Sequence, residues 1–257
     1  MEKVHYLDPA KENTKPVILI HGLGVDGSSW AMQFQPLIEA GYRPIAIDVP
    51  GFGDSPYGNQ KWSIQRVADD LSELMERIKI IPAHVVGISM GGVIAQQLVL
   101  DHPEDVSKLV LVNTFSVLRP KDIQGWGYFL QRFALVHTLG IQVQAQFVSK
   151  RIFPLQQHEI LRKEMIAQIS KADPRAYRAA MRSLGLFNSK NRLQEIIVPT
   201  LVITGGEDTT VLPVHQTQMA GWLPGAQQVI IKGAGHAVSV EFPNEFNELL
   251  LEFLGNR

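Results

Sequence analysis

The segment Gly87-Ile88-Ser89-Met90-Gly91-Gly92 confines this chain to a small set of folds, because a short buried strand there gives way at once to a helix. Ala83-His84-Val85-Val86 before it has the apolar, β-branched character of a core strand's end. Val93-Ile94-Ala95-Gln96-Gln97-Leu98-Val99-Leu100 after it reads as a helix with a small-residue start. Glycines flanking Ser89 permit a turn too tight for a Cβ, and such a turn lifts a serine hydroxyl above the edge of a parallel sheet. Taken alone, these residues would also suit the glycine-rich strand–helix turn of a nucleotide-binding fold.

The rest of the chain narrows the choice. Val17-Ile18-Leu19-Ile20, Pro44-Ile45-Ala46-Ile47, His84-Val85-Val86-Gly87 and Leu109-Val110-Leu111-Val112 are four short apolar runs, with Leu201-Val202-Ile203-Thr204 and Gln228-Val229-Ile230-Ile231 following near the C-terminus. Such runs alternating with helical patterns predict an α/β fold with a mostly parallel sheet. Ile64, Val67, Leu71, Leu74 and Ile78 mark one face of an amphipathic helix, with Ser63 placed to cap it. Phe246, Leu249, Leu250 and Phe253 mark a last helix over roughly Asn244 to Leu254.

The alternation stops between about Phe115 and Asn191, where the pattern reads as three or four helices and no strand. The expectation is a core domain of residues 1–115 and 191–257, with residues 116–190 forming a helical cap over the carboxyl edge, where open α/β sheets bind ligands. A separate helical domain with its own core is the other reading, and short connections at both ends weigh against it. The cap segment holds 12 Lys/Arg against 4 Asp/Glu, the remainder 12 against 21. A basic lid could attract an anionic substrate; complementarity between a basic lid and an acidic base is the plainer reading and the preferred one.

Composition excludes several classes. With no cysteine, the 257-residue chain has no disulfide, thiolate metal site or thiol nucleophile. A formal net charge of −1 offers no global case for nucleic acid as a partner. Met1 to Asp8 lacks the apolar stretch of a secretory signal, and no run approaches the ~20 apolar residues of a membrane span, so a cytoplasmic protein is expected. Monomer and homodimer are both compatible with the sequence.

A serine hydroxyl needs a base, and a parallel sheet brings the ends of distant strands to one edge. His236, in the loop Lys232-Gly233-Ala234-Gly235-His236-Ala237 after the last strand, is the best placed of eight histidines. Asp208, in Gly205-Gly206-Glu207-Asp208, supplies a carboxylate to fix the imidazole tautomer, with Glu207 as its neighbouring rival. The position after Val112 holds Asn113 and Thr114, neither able to carry the charge. An oxyanion would be met by backbone N–H groups of Met90, at a helix start, and of Leu23, in His21-Gly22-Leu23-Gly24. His21 itself reads as a support for that loop. No metal or organic cofactor is called for.

Together with Trp30 and the segment Asp48-Val49-Pro50-Gly51-Phe52-Gly53-Asp54-Ser55, these elements resemble the α/β-hydrolase superfamily in order and spacing over nearly the whole chain. The order Ser89, Asp208, His236 is the one found there. The resemblance implies a mostly parallel twisted sheet flanked by helices, with a helical cap inserted between two strands. Within the superfamily the chain is similar to the capped group of small bacterial carboxylesterases, 3-oxoadipate enol-lactonases and carbon–carbon bond hydrolases. Haloalkane dehalogenases share the scaffold but use an aspartate where this chain has Ser89. About fifteen residues precede the first core strand, so an N-terminal hairpin is expected to be abbreviated. The implied activity is hydrolysis of a small-molecule ester through an acyl-enzyme, with enol-lactone or carbon–carbon bond hydrolysis as the alternative. A ligand receptor on the same scaffold is the remote one, since the plant karrikin and strigolactone receptors carry histidine where this chain has Ile88. Trp126, Phe129, Phe133, Phe147 and Phe153 are candidate acyl-pocket residues, though aromatics at helical spacing are more often core.

Overall fold

The computed structural model describes residues 4–59, 61–117 and 123–255, with the side chains of residues 123–126, 128, 129 and 132 outside that description. Seven strands form one sheet: β1 (Tyr6–Leu7), β2 (Lys15–Ile20), β3 (Tyr42–Ile47), β4 (Ala83–Ile88), β5 (Val106–Val112), β6 (Thr200–Gly205) and β7 (Gln227–Ile231). Their spatial order is β1-β3-β2-β4-β5-β6-β7, and only β1 runs antiparallel, pairing Tyr6 with Ile47 and Leu7 with Ala46. The expected hairpin is thus reduced to a two-residue edge strand.

Around the sheet lie α1 (Ala31–Glu39), α2 (Ile64–Arg77), α3 (Met90–Asp101), α8 (Pro213–Ala220), α9 (Val238–Glu241) and α10 (Pro243–Gly255). Helices α4 (Ile123–Thr138), α5 (Gly140–Ile152), α6 (Glu159–Lys171) and α7 (Pro174–Leu186) are inserted between β5 and β6. The central strands are apolar at nearly every position because both sheet faces are covered. The period of two divides them cleanly: Ile18, Ile20, Val85, Leu109 and Leu111 pack into the core shared with α2 and α3. Val17, Leu19, Val86, Val110 and Val112 face the other way, onto Trp30, Leu37 and the Phe246, Leu250 and Phe253 stripe of α10.

Helix α2 starts where its cap dictates, the Ser63 hydroxyl accepting the Arg66 N–H at 3.1 Å. The insertion is joined to the sheet region through a narrow neck. Ser189 N–H donates to Ser116 O at 2.9 Å, and buried Gln96 of α3 holds both sides, donating to Phe115 O and accepting the Ser189 hydroxyl. Among the described residues, no helix is long and apolar enough to cross a membrane.

Candidate functional site

Each of the three nominated side chains follows the carboxyl end of a strand. Ser89 comes directly after β4 and has φ 53°, ψ −112°, a strained conformation for a residue with a Cβ. Its surroundings enforce it. A Cβ on Gly91 would collide with the carbonyl of Ile20, and one on Gly87 with the carbonyl of Gly91, so the turn closes only with glycine at both. Ser89 N–H is held by Val112 O, and Thr114 Oγ1 donates to Ser89 O at 2.7 Å, fixing the strained peptide from both sides.

His236 Nε2 lies 3.1 Å from Ser89 Oγ, and His236 Nδ1 lies 2.8 Å from Asp208 Oδ2. A carboxylate accepts only, so Nδ1 carries the proton and Nε2 is left as the acceptor for the serine O–H. His236 and Asp208 are buried, and the hydrogen bond between them is away from solvent. Asp208 Oδ1 accepts the N–H groups of Thr210 and Val211 at 2.8 and 2.9 Å, and Gln216 Nε2 reaches Oδ2 at 3.2 Å. Glu207, the neighbouring rival, is exposed. The arrangement can take a proton from a hydroxyl and return it to a leaving group.

Several supporting residues escaped the sequence reading. Asn113, considered only for a charge it cannot carry, stands at φ 42° and ties the sheet end to the histidine loop. Its Nδ2 donates to Gly235 O and His236 O at 2.9 and 2.8 Å, and its Oδ1 accepts Gly205 N–H at 2.7 Å. From the other side, the Glu241 carboxylate accepts the N–H groups of Gly235 and Ala237, each at 2.9 Å. These partners lie far apart in sequence; the one local hint was a polar residue capping an otherwise apolar strand.

His21 is fully buried, donates through Nδ1 to Gly22 O at 2.8 Å and accepts Val49 N–H on Nε2 at 3.0 Å. Burial pushes its pKa down, so it is neutral and supports its loop. Leu23 is on the wall of the cavity that holds Ser89, and Met90 is the first residue of α3, where N–H groups have no acceptor within the helix. Among the described residues, one trio of His/Asp/Glu side chains is close enough to share a cation: His5, Asp48 and Asp54. Asp48 is already engaged by the N–H groups of Gly27 and Asp54 and by His5 Nδ1 at 2.7 Å, so the trio reads as a brace of its loop.

Ser89 and His236 open into a cavity of about 190 Å³. The insertion supplies one wall, with Val148, Ile152 and Phe153 from the α5 end and Leu161, Met165 and Gln168 from α6. Gln168 Nε2 bridges to Ser28 Oγ at 2.9 Å, linking that wall to the loop before α1. Of the candidate pocket aromatics, Phe153 lines the cavity, Phe133 and Phe147 pack against the core, and Trp126 and Phe129 lie outside the described side chains. None of the described cations of the insertion lines the cavity, which favours the plainer reading of its charge.

Residues 15–243 match the sequence model of a family described as alpha/beta hydrolase fold. A protein provisionally named carbamate hydrolase RutD, from Caulobacter vibrioides, is 31% identical over 244 residues, covering 93% of this chain and 89% of its own. A thermophilic esterase from Thermogutta terrifontis superposes with a TM-score of 0.86 at 25% identity, covering 98% of this chain and 92% of its own. The enol-lactonase of Burkholderia xenovorans LB400 superposes with a TM-score of 0.90 at 24% identity, over 99% and 97%, and at that identity speaks for the fold alone.

Proposed function

The chain belongs to the alpha/beta hydrolase fold family, and from that premise we propose that it is a serine hydrolase of small carboxylic esters. Ser89 is the nucleophile, His236 the general base and acid, and Asp208 the group that orients and stabilises the imidazolium. The reading rests on one observation above all, the unbroken series of hydrogen bonds from Ser89 Oγ through His236 to Asp208. As Oγ attacks the ester carbonyl, its proton passes to His236 Nε2, and the N–H groups of Leu23 and Met90 meet the developing oxyanion. His236 then protonates the departing alkoxide, leaving an acyl-enzyme. Water, deprotonated by the same nitrogen, repeats the addition and frees the acid. Helices α4 to α7 act as the cap of this site, closing the acyl pocket with Phe153 and Leu161.

Cavity size and lining indicate the substrate. The cavity, about 190 Å³ and lined mostly by apolar side chains, lies at the small end of ligand sites, so short acyl groups, of about six carbons or fewer, suit it. An enol-lactone that carries a free carboxylate would meet no lysine or arginine among the described lining residues, which favours the neutral ester. The test is initial rates on p-nitrophenyl esters from acetate to decanoate, with Ser89→Ala as control. Turnover that depends on Ser89 and peaks at six carbons or fewer is expected. Folded protein with no turnover on any of these esters would overturn the reading in favour of lactones or carbamates.

A further inference from the structure

The insertion sorts its charges. Among its described side chains, Arg151 donates to Thr209 O, Arg162 to Phe153 O and Leu155 O, and Lys190 lies over the Trp222 ring. Lys163 and Arg175 pair with acids of their own segment, Glu159 and Asp173. Of the segment's four acids, that leaves Asp122, outside the described residues, and Glu164. Glu164 makes no ion pair among the described residues. Its neighbours one turn away on α6, Ile160, Leu161, Ala167 and Gln168, are all uncharged. It is also the one residue of the segment, among those described, that brings an ionisable side chain to the cavity wall; His236 is the cavity's other ionisable group.

The placement is therefore opposite to the sign of the segment. Twelve cations against four acids would suggest a site for anions, yet the charged residue that the segment brings to the rim of this mostly apolar cavity is an acid, exposed Glu164. Water screens an exposed carboxylate, so a cation resting beside it on the cavity rim gains modestly and an anion loses by a similar amount. From this we propose that Glu164 is a specificity-determining residue, selecting esters with a cationic group, such as a quaternary or primary ammonium, a few bonds from the scissile carbonyl. The inference rests on the ester-hydrolase reading of the same cavity.

The test compares charged substrates with neutral isosteres. Butyrylcholine is set against 3,3-dimethylbutyl butyrate, and the p-nitrophenyl ester of 4-(trimethylammonio)butanoic acid against that of 5,5-dimethylhexanoic acid. Wild-type protein should show a cation-to-neutral ratio of kcat/KM of about 3 to 5 in at least one pair at low ionic strength, shrinking as salt is added. The ratio should fall to about 1 in Glu164→Gln and below 1 in Glu164→Lys. Equal ratios in all three proteins would overturn the proposal. Calorimetric titration of the same ligands into Ser89→Ala, with and without Glu164→Gln, reads the preference without turnover. If no ester is turned over but the cation still binds more tightly and loses that advantage in Glu164→Gln, the ester reading fails and the role of Glu164 stands. If esters are turned over with no charge preference in rate or binding, the role of Glu164 fails alone.

Discussion

Ser89, Asp208 and His236 follow strand ends that are fixed by backbone ladders, whereas Phe153, Leu161 and Met165, on the wall of the same cavity, belong to the inserted helical segment. In the first region every position has a backbone consequence: Gly91 lies against Ile20 O, Thr114 against Ser89 O, Asn113 against Gly205 N–H. In the second, among the described residues, neither Gly127 of α4 nor Gly140 at the start of α5 has a neighbour close enough to meet an added methyl. Backbone bonds in the sheet region leave little room for these atoms to shift, as the proposed proton transfer would demand. The insertion sets the shape and charge of a wall, which packing can alter by exchange of one side chain for another.

The largest effect should come from removing the proposed base. His236→Ala is expected to lower kcat on a p-nitrophenyl ester by about 10³-fold or more while the protein stays folded, as circular dichroism would verify. A variant within tenfold of wild type would take the chemistry away from the sheet region and break the contrast outright. Next comes the same substitution made in each region. Gly91→Ala should cost more than about 3 kcal/mol in denaturant unfolding, or prevent folding, because the Cβ meets the Ile20 carbonyl. Gly127→Ala, at an exposed position of α4, should instead stabilise by up to about 1 kcal/mol. Equal effects of one sign would erase the distinction.

A finer probe is the brace behind the base. Asn113→Ala removes both hydrogen bonds that its Nδ2 donates to the histidine loop and should lower kcat about 10-fold to 100-fold with little change in KM, since Asn113 is buried off the cavity wall. A change confined to KM would mean that the loop shapes the pocket. On the insertion side, Leu161→Trp should move the preferred acyl chain shorter, measured on the same ester series; an unchanged optimum would place the acyl group elsewhere.

The smallest effect concerns acid stability. His84, hydrogen-bonded to the Ser107 hydroxyl, is pushed down to about 4, first by burial and then by Lys108 and Lys15. The unfolded chain binds a proton there near 6.5 while the native protein does not, so stability is lost as pH falls from 6.5 towards 4. His84→Gln should therefore show a smaller drop in Tm between pH 7 and pH 4.5 than wild type. An equal drop would assign the acid sensitivity to other groups, buried His21 first among them.

The sequence showed most of the sheet because burial on two faces writes itself as unbroken apolar runs. Lys15 and Pro16 extend β2 beyond its predicted start, since pairing continues where burial has ended. Tyr6–Leu7 went unread because two residues display no period. The three side chains nominated for the site were readable from their place after a strand. Asn113, Glu241 and Gln216 were not, because their work is hydrogen bonding across the folded edge and no local pattern encodes it. In the insertion, helices were legible and lining only in part: Phe153 stood among the candidates, whereas Leu161 and Glu164 line the cavity through the way α6 packs, a property of the assembled protein.

The neck formed by Ser116, Ser189 and Gln96 gives the molecule a single doorway. Val117 and Asn188 pair as an isolated bridge, so some seventy residues leave and return through adjacent backbone. A segment anchored in this way behaves as a cassette. Its ends already sit at closing distance, so replacing it with another helical segment, or with a short turn, adds little loop-closure entropy and disturbs no strand register. On the proposed assignment of Ser89, Asp208 and His236, recombination at this seam, in the laboratory or in a lineage, would exchange the cavity wall while leaving the three side chains where they were.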